Sequence, residues 1–266
     1  MIRIGIIGCG NMGGAMLRQM LKAGFFKPDE VVVSDKNQLL TEKIQKELGV
    51  QIAQSNRQAA AAPCVLLAVK PQYIRDVMTE IRGALAPDAL ILSIVMGFSL
   101  NMLTEGLNNQ HAHIVRVMPN TPAMVGEGVL AACRSGSVTD AQWSFAMQLL
   151  SAMGMAEEVT ESMMDAVTGL SGSSPAFVFL FLEALSDAGV RGGLPRATAQ
   201  RFAAQTLLGS AKLALESGLH PGQLKDMVTS PAGTTIEGVA ALEKNGFRYA
   251  VMEAVEAAIQ KSRSVK

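Results

Sequence analysis

Ile4-Gly-Ile-Ile-Gly-Cys-Gly-Asn-Met-Gly13 decides the fold of the N-terminal half. A short apolar strand runs into Gly8, Gly10 and Gly13, and an apolar stretch of helical period follows from Ala15 to Met20. Strand, glycine turn and helix in that order form the dinucleotide-binding fingerprint. Gly8 allows the tight turn, Gly10 lets the backbone approach a pyrophosphate, and Gly13 lets the helix pack on the strand with its N-terminus toward the phosphates. A second strand, Val31-Val-Val33, ends in Ser34-Asp35-Lys36. Asp35 lies about twenty residues beyond the glycines, where an acid binds the ribose hydroxyls of NAD and repels a 2′-phosphate. Ser34 and Lys36 can cradle that phosphate, so the local residues leave NAD and NADP both open.

Further apolar runs at Val65 to Val69, Leu90 to Ile94, Ile114 to Val117 and Val129 to Cys133 alternate with helical ones. That alternation predicts an α/β fold with a Rossmann-type doubly wound sheet over residues 1–160. From residue 161 to 266 the pattern changes to Ala, Leu and Met at helical spacing, in runs such as Phe177 to Ala188, Ala197 to Glu216 and Tyr249 to Ile259. This part reads as an all-helical dimerisation domain, because several helices are apolar on more than one face.

Composition narrows the function. Lys plus Arg and Asp plus Glu each number 23, so the chain lacks the basic field that draws nucleic acid. Gly5, Gly8, Gly10 and Asn11 interrupt the N-terminal apolar run, unlike a signal peptide. The longest aromatic and apolar run, Pro175 to Leu182, stops at Glu183, short of a bilayer span. These features predict a cytoplasmic protein with no membrane partner. Cys9, Cys64 and Cys133 are widely spaced, as reduced buried thiols are. The 16 methionines are scattered and read as core filler, and His111 and His113 as a solvated connection, so no metal site is expected.

Four further segments carry candidate chemistry. Ala68-Val-Lys-Pro71 ends a buried strand at a proline and puts Lys70 at the carboxyl edge of the sheet, where cofactors lie; a snorkelling surface lysine is the alternative. Arg116-Val-Met-Pro-Asn-Thr-Pro122 is a polar loop at the same edge, or a simple turn. Gly169-Leu-Ser-Gly-Ser-Ser-Pro-Ala176 carries more small polar groups than a helix cap requires, as a pocket floor does. Ser230-Pro-Ala-Gly-Thr-Thr235 breaks a helical run and opens a new helix, whose free N–H groups suit a small carboxylate. A threonine-capped interhelical loop is the alternative.

Together these segments resemble the pyrroline-5-carboxylate reductase family over essentially the whole chain. The resemblance rests on the glycine-rich opening, Ala68 to Pro71, Arg116 to Pro122, Ser171-Gly-Ser-Ser-Pro-Ala176, and the stretch from His220 to Thr235 with Leu224-Lys-Asp226 and Gly233-Thr-Thr235. It implies NADP as cofactor, with NAD possible, held by Gly8, Cys9, Gly10, Asn11, Met12 and Gly13, by Ser34, Asp35, Lys36 and Asn56, and by Ala68, Val69, Lys70, Pro71, Val95 and Met96. It implies that pyrroline-5-carboxylate binds through Ser174 and the amides of Gly233, Thr234 and Thr235, and that Thr235 is catalytic, facing the imine nitrogen as the ring is reduced to proline. It further implies a homodimer that assembles into larger homo-oligomers.

The chain departs from the family pattern at Val95-Met96, Met227 and Ala232. Ala232 stands where the pattern has a second glycine, and it strains the loop if its φ is positive. Another cyclic-imine reductase and a non-catalytic nicotinamide sensor remain as alternatives. A hydroxyacid dehydrogenase needs a lysine in the helix after the Gly-Ser turn, and Phe177 to Leu180 occupy that place.

Overall fold

The computed structural model describes residues 1–264. Its elements run β1 Ile4–Ile7, α1 Asn11–Lys22, β2 Val31–Ser34, α2 Gln38–Leu48, β3 Gln51–Ile52, α3 Asn56–Ala60, β4 Cys64–Leu67, α4 Ile74–Ile81, β5 Leu90–Ser93, α5 Leu100–Leu107, β6 His113–Met118, β7 Gly128–Arg134, α6 Asp140–Ser151 and β8 Gly154–Glu158. They continue as α7 Met164–Val167, α8 Ser174–Arg191, α9 Arg196–Ser217, α10 Pro221–Met227, α11 Thr234–Lys244 and α12 Phe247–Ser264. The described residues pack as two compact units, Met1–Gly172 with residues 258–264, and Ser173–Ala257.

The first unit holds one sheet in the order β3-β2-β1-β4-β5-β6-β7-β8. Every neighbouring pair is parallel except β6 with β7. Strands β1, β2, β4 and β5 are buried at every residue, as a parallel sheet covered on both faces requires. Alternate residues feed two cores: Ile4, Ile6, Met16 and Leu66 on one face, Ile7, Val65, Leu67 and Ile74 on the other. The expected strands are all present, within two residues at each end. Apolar runs did not reveal β3 and β8, because both are edge strands with half-buried or exposed residues. The strand order turns back between β1 and β4, which opens a crevice at their carboxyl ends.

Arg116 on β6 is buried and meets Glu161 Oε1 at 3.0 Å. The same oxygen accepts the Leu100 N–H at 2.7 Å. One carboxylate thus fixes β6, the start of α5 and the entry to the following helix.

That helix runs further than the sequence suggested. Thr168–Ser173 continues it as a π-helical turn instead of breaking it, so Glu161–Arg191 is helical for 31 residues, long and apolar enough to cross a membrane by length and composition. The apolar run Pro175 to Leu182 is thus part of a longer helix, because the wider π turn accommodates the Gly and Ser residues that precede it.

The second unit is all helix and has little interior of its own. Its buried side chains are small, Ser186, Ala199 and Ala203, while Phe179, Leu180, Phe202, Leu215, Tyr249 and Met252 are exposed. That much exposed apolar surface on one unit marks an association surface.

All three cysteines are free and buried. Burial pushes the Cys9 and Cys64 thiols up to about 12 and Cys133 to about 11, with Asp35 adding to the rise at Cys9 and Glu161 at Cys133. The folded thiols keep their protons where unfolded ones, near 8.5, release them. Stability from this source is therefore complete below pH about 8 and declines as pH rises further. Iodoacetamide at pH about 8 should label the native protein at least about a hundredfold more slowly than the denatured chain, read by intact mass.

Candidate active site

At the crevice, Gly8 has φ +104° and donates its N–H to Ser34 O at 2.8 Å. A Cβ there would lie 2.5 Å from Ala68 O, and one at Gly13 would lie 2.1 Å from Gly8 O. Both positions exclude a side chain, so the loop folds tightly over the carboxyl ends of β1 and β4. Gly10 differs: nothing lies within 4 Å of where its Cβ would stand. It is also the N-cap of α1 and makes no side-chain cap hydrogen bond. The loop therefore offers bare backbone and an uncapped helix start, the arrangement that binds a diphosphate.

Asp35 braces that loop. Its Oδ2 accepts the Cys9 N–H at 2.7 Å and its Oδ1 accepts the Asn37 N–H at 2.8 Å. Such charge-assisted bonds are stronger than neutral ones, so the end of β2 sets the position of the glycine turn. Gly8, Gly10, Asp35, Lys36, Asn56, Ala68, Val69 and Lys70 line one cleft of about 280 Å³. Lys36 Nζ sits 3.5 Å above the centre of the Tyr73 ring, and its hydrogen bond and charge hold the Tyr73 phenol below its usual range. Ser34 is buried, and its hydroxyl donates to Asn56 Oδ1 at 2.8 Å; Asn56 Nδ2 donates to Glu80 Oε2 at 2.7 Å.

Other nominated residues lie apart from this lining. Asn11 is exposed at the first position of α1, Met12 packs half-buried against the core, and the Cys9 side chain is buried. Pro71 opens a 3₁₀ turn, Pro71–Tyr73. Val95 turns its side chain into the core while Met96 is exposed. Sequence reading missed Asn37, Leu40, Tyr73 and Val77 in the cleft wall, and Glu80 behind it.

In the polar loop after β6, Asn120 is buried; its Oδ1 accepts the Val129 N–H at 2.9 Å and its Nδ2 donates to Ser171 O at 3.2 Å. Asn120 thus pins the loop to β7 and to the π-helical turn.

In the second unit, Ser230 to Gly233 form a closed turn, with the Gly233 N–H donating to Ser230 O at 3.1 Å. A Cβ at Gly233 would lie 2.3 Å from Ser230 Oγ. Gly233 is the N-cap of α11, again with no side-chain cap hydrogen bond, and Thr234 and Thr235 open the helix. The threonines do not cap it, so the first-turn amides face outward. Because the Gly233 amide closes the turn, Thr234 and Thr235 supply the amides nearest the free end. Ser174 is the first residue of α8 and half-buried.

Comparison with known proteins gives matches over the whole chain. Residues 161–265 match a family model described as pyrroline-5-carboxylate reductase dimerisation, and residues 3–97 one described as NADP oxidoreductase coenzyme F420-dependent. The chain is 46% identical to a pyrroline-5-carboxylate reductase of Synechocystis sp., covering 99% of this chain and 98% of that one. It is 42% identical to the Escherichia coli enzyme of the same name, with the same coverage. The crystal structure of Plasmodium falciparum pyrroline carboxylate reductase with NADP bound superposes with a TM-score of 0.89 at 35% identity, covering 99% of this chain and 98% of that one.

Ala232 has φ +54°, the case in which an alanine strains the loop. A left-handed conformation costs an L-residue about 1–2 kcal/mol, part of which glycine gives back as unfolded-state entropy. Ala232→Gly should therefore raise stability by about 0.5–1 kcal/mol in urea unfolding; a loss of stability would show that the turn does not strain this position.

Proposed function

The chain belongs to the pyrroline-5-carboxylate reductase family, and from that premise we propose that it reduces 1-pyrroline-5-carboxylate to L-proline, the last step of proline biosynthesis, with NADP as its cofactor and NAD as an alternative. The observation that carries the reading is the uncapped start of α11 behind the Ser230–Gly233 turn, in a chain whose other unit holds a bare glycine loop braced by Asp35. The first is a seat for a small carboxylate, the second a seat for a dinucleotide.

The reduced cofactor supplies the hydride that ends on C5 of the pyrroline ring. The bare backbone at Gly10 and the first amides of α1 hold its diphosphate, and the Asp35 brace keeps them in place. Ala68, Val69 and Lys70 form the cleft wall beside the glycine turn. The N–H groups of Thr234 and Thr235 hold the substrate carboxylate, helped by the positive end of the α11 dipole. Gly233 shapes the turn by lacking a side chain, and Ser174 contributes a hydroxyl to the same substrate. The Thr235 hydroxyl faces the ring nitrogen, where it orients the protonated imine; water completes the proton balance. Orientation is the main demand on the protein, because the cofactor carries the chemistry.

The helical unit pairs with a second copy of the chain, which covers apolar side chains such as Phe179, Leu180 and Met252, and the dimers assemble further into larger rings. The long apolar helix is read as part of that dimer surface rather than as a membrane span, in keeping with a cytoplasmic enzyme.

Thr235→Ala should lower kcat by at least about tenfold while leaving the NADPH dissociation constant within about twofold, and Thr235→Ser should recover part of the rate. Steady-state kinetics with a parallel NADPH fluorescence titration checks both. An unchanged kcat would remove the Thr235 hydroxyl from the mechanism.

A further inference from the structure

Past Asp35, Lys36 and Asn56 the cleft continues into a second recess of about 460 Å³, walled by Ser34, Gln54 and Glu80 among others. In a doubly wound fold the acid at the end of β2 meets the adenosine ribose, so a substituent on its 2′ position points to this recess.

The hydrogen bonds across the recess have one sense. A carboxylate only accepts, so the Asn56 amide nitrogen faces Glu80 and its oxygen faces the Ser34 hydroxyl. The Ser34 hydroxyl is thus directed toward Asn56, and the Asn56 amide gives one of its two N–H groups to Glu80. The surrounding charges do not offset this. Asp35 and Glu42 also line the recess, Lys36 is held over Tyr73, and Arg57 is turned to the Glu80 backbone carbonyl at 2.9 Å. A phosphate must compete with the Asn56 oxygen for the Ser34 hydroxyl and, at the remaining Asn56 N–H, lie near the Glu80 charge. A ribose hydroxyl meets neither obstacle, since it can donate to a carboxylate.

We propose that Glu80 is a specificity-determining residue: acting through Asn56, it disfavours the 2′-phosphate of NADPH relative to the 2′-hydroxyl of NADH, and so admits NADH as a working cofactor. This rests on the reading of the cleft as the dinucleotide site. Glu80→Gln tests it directly, because glutamine keeps the size and an oxygen acceptor for Asn56 Nδ2 while removing the charge; Glu80→Ala is the second variant.

Full-length wild type and both variants are titrated with NADPH and with NADH by fluorescence, and kcat/KM is measured with each cofactor. Glu80→Gln should raise the NADPH to NADH preference about tenfold, almost all of it through tighter NADPH binding, as expected for loss of one nearby charge in a partly screened site. Added salt should raise the preference in wild type and change it less in Glu80→Gln. An unchanged preference in both variants, or an equal change for both cofactors, would overturn the assignment. Failure of wild type to bind either cofactor would instead overturn the dinucleotide reading itself.

Discussion

The Asp35 carboxylate, shared between the backbone N–H groups of Cys9 and Asn37, is the interaction on which the nucleotide-binding unit depends. Glycines at 8, 10 and 13 make a loop that excludes side chains at two points and leaves backbone bare at the third. Glycine freedom alone would leave such a loop mobile. Tying its amide to the end of β2 fixes the turn against the two buried strands that flank the crevice. The same contact sets the environment of Cys9, whose buried thiol stays protonated beside that charge.

The helical unit solves a similar problem by different means. A side chain at Gly233 would have to displace the Ser230 hydroxyl, and Ala232 holds a left-handed conformation that suits glycine better. The turn nevertheless closes and delivers the start of α11 without a side-chain cap. Strain of about 1 kcal/mol at one residue is small enough for the surrounding turn to hold. The thin interior of this unit follows from helices built of Ala, Leu and Met on several faces, which a single copy cannot bury.

Much of this was legible in residue order. Buried parallel strands announce themselves as continuous apolar runs, and the fingerprint glycines located the crevice because strand, turn and helix adjoin them. The edge strands β3 and β8 were not legible, since half-exposed residues such as Gln51 and Glu158 carry no apolar pattern. Neither was the π turn at Thr168–Ser173, whose Gly and Ser residues carry no apolar helical pattern. Side-chain direction was hidden for the same kind of reason. Val95 sits beside the sheet edge in sequence yet points into the core, and the Gly233 amide closes its own turn instead of facing outward. Glu80 comes to Asn56 from another helix, so only the fold brings them together.

Reduction of the pyrroline ring places the transferred hydride on C5. The most direct test supplies NADPH carrying deuterium at the transferable C4 position, together with 1-pyrroline-5-carboxylate, and locates the label in the product by NMR and mass spectrometry. The account predicts L-proline with a single deuterium at C5, formed only when both cofactor and substrate are present. Absence of labelled proline from folded protein that binds NADPH would contradict it.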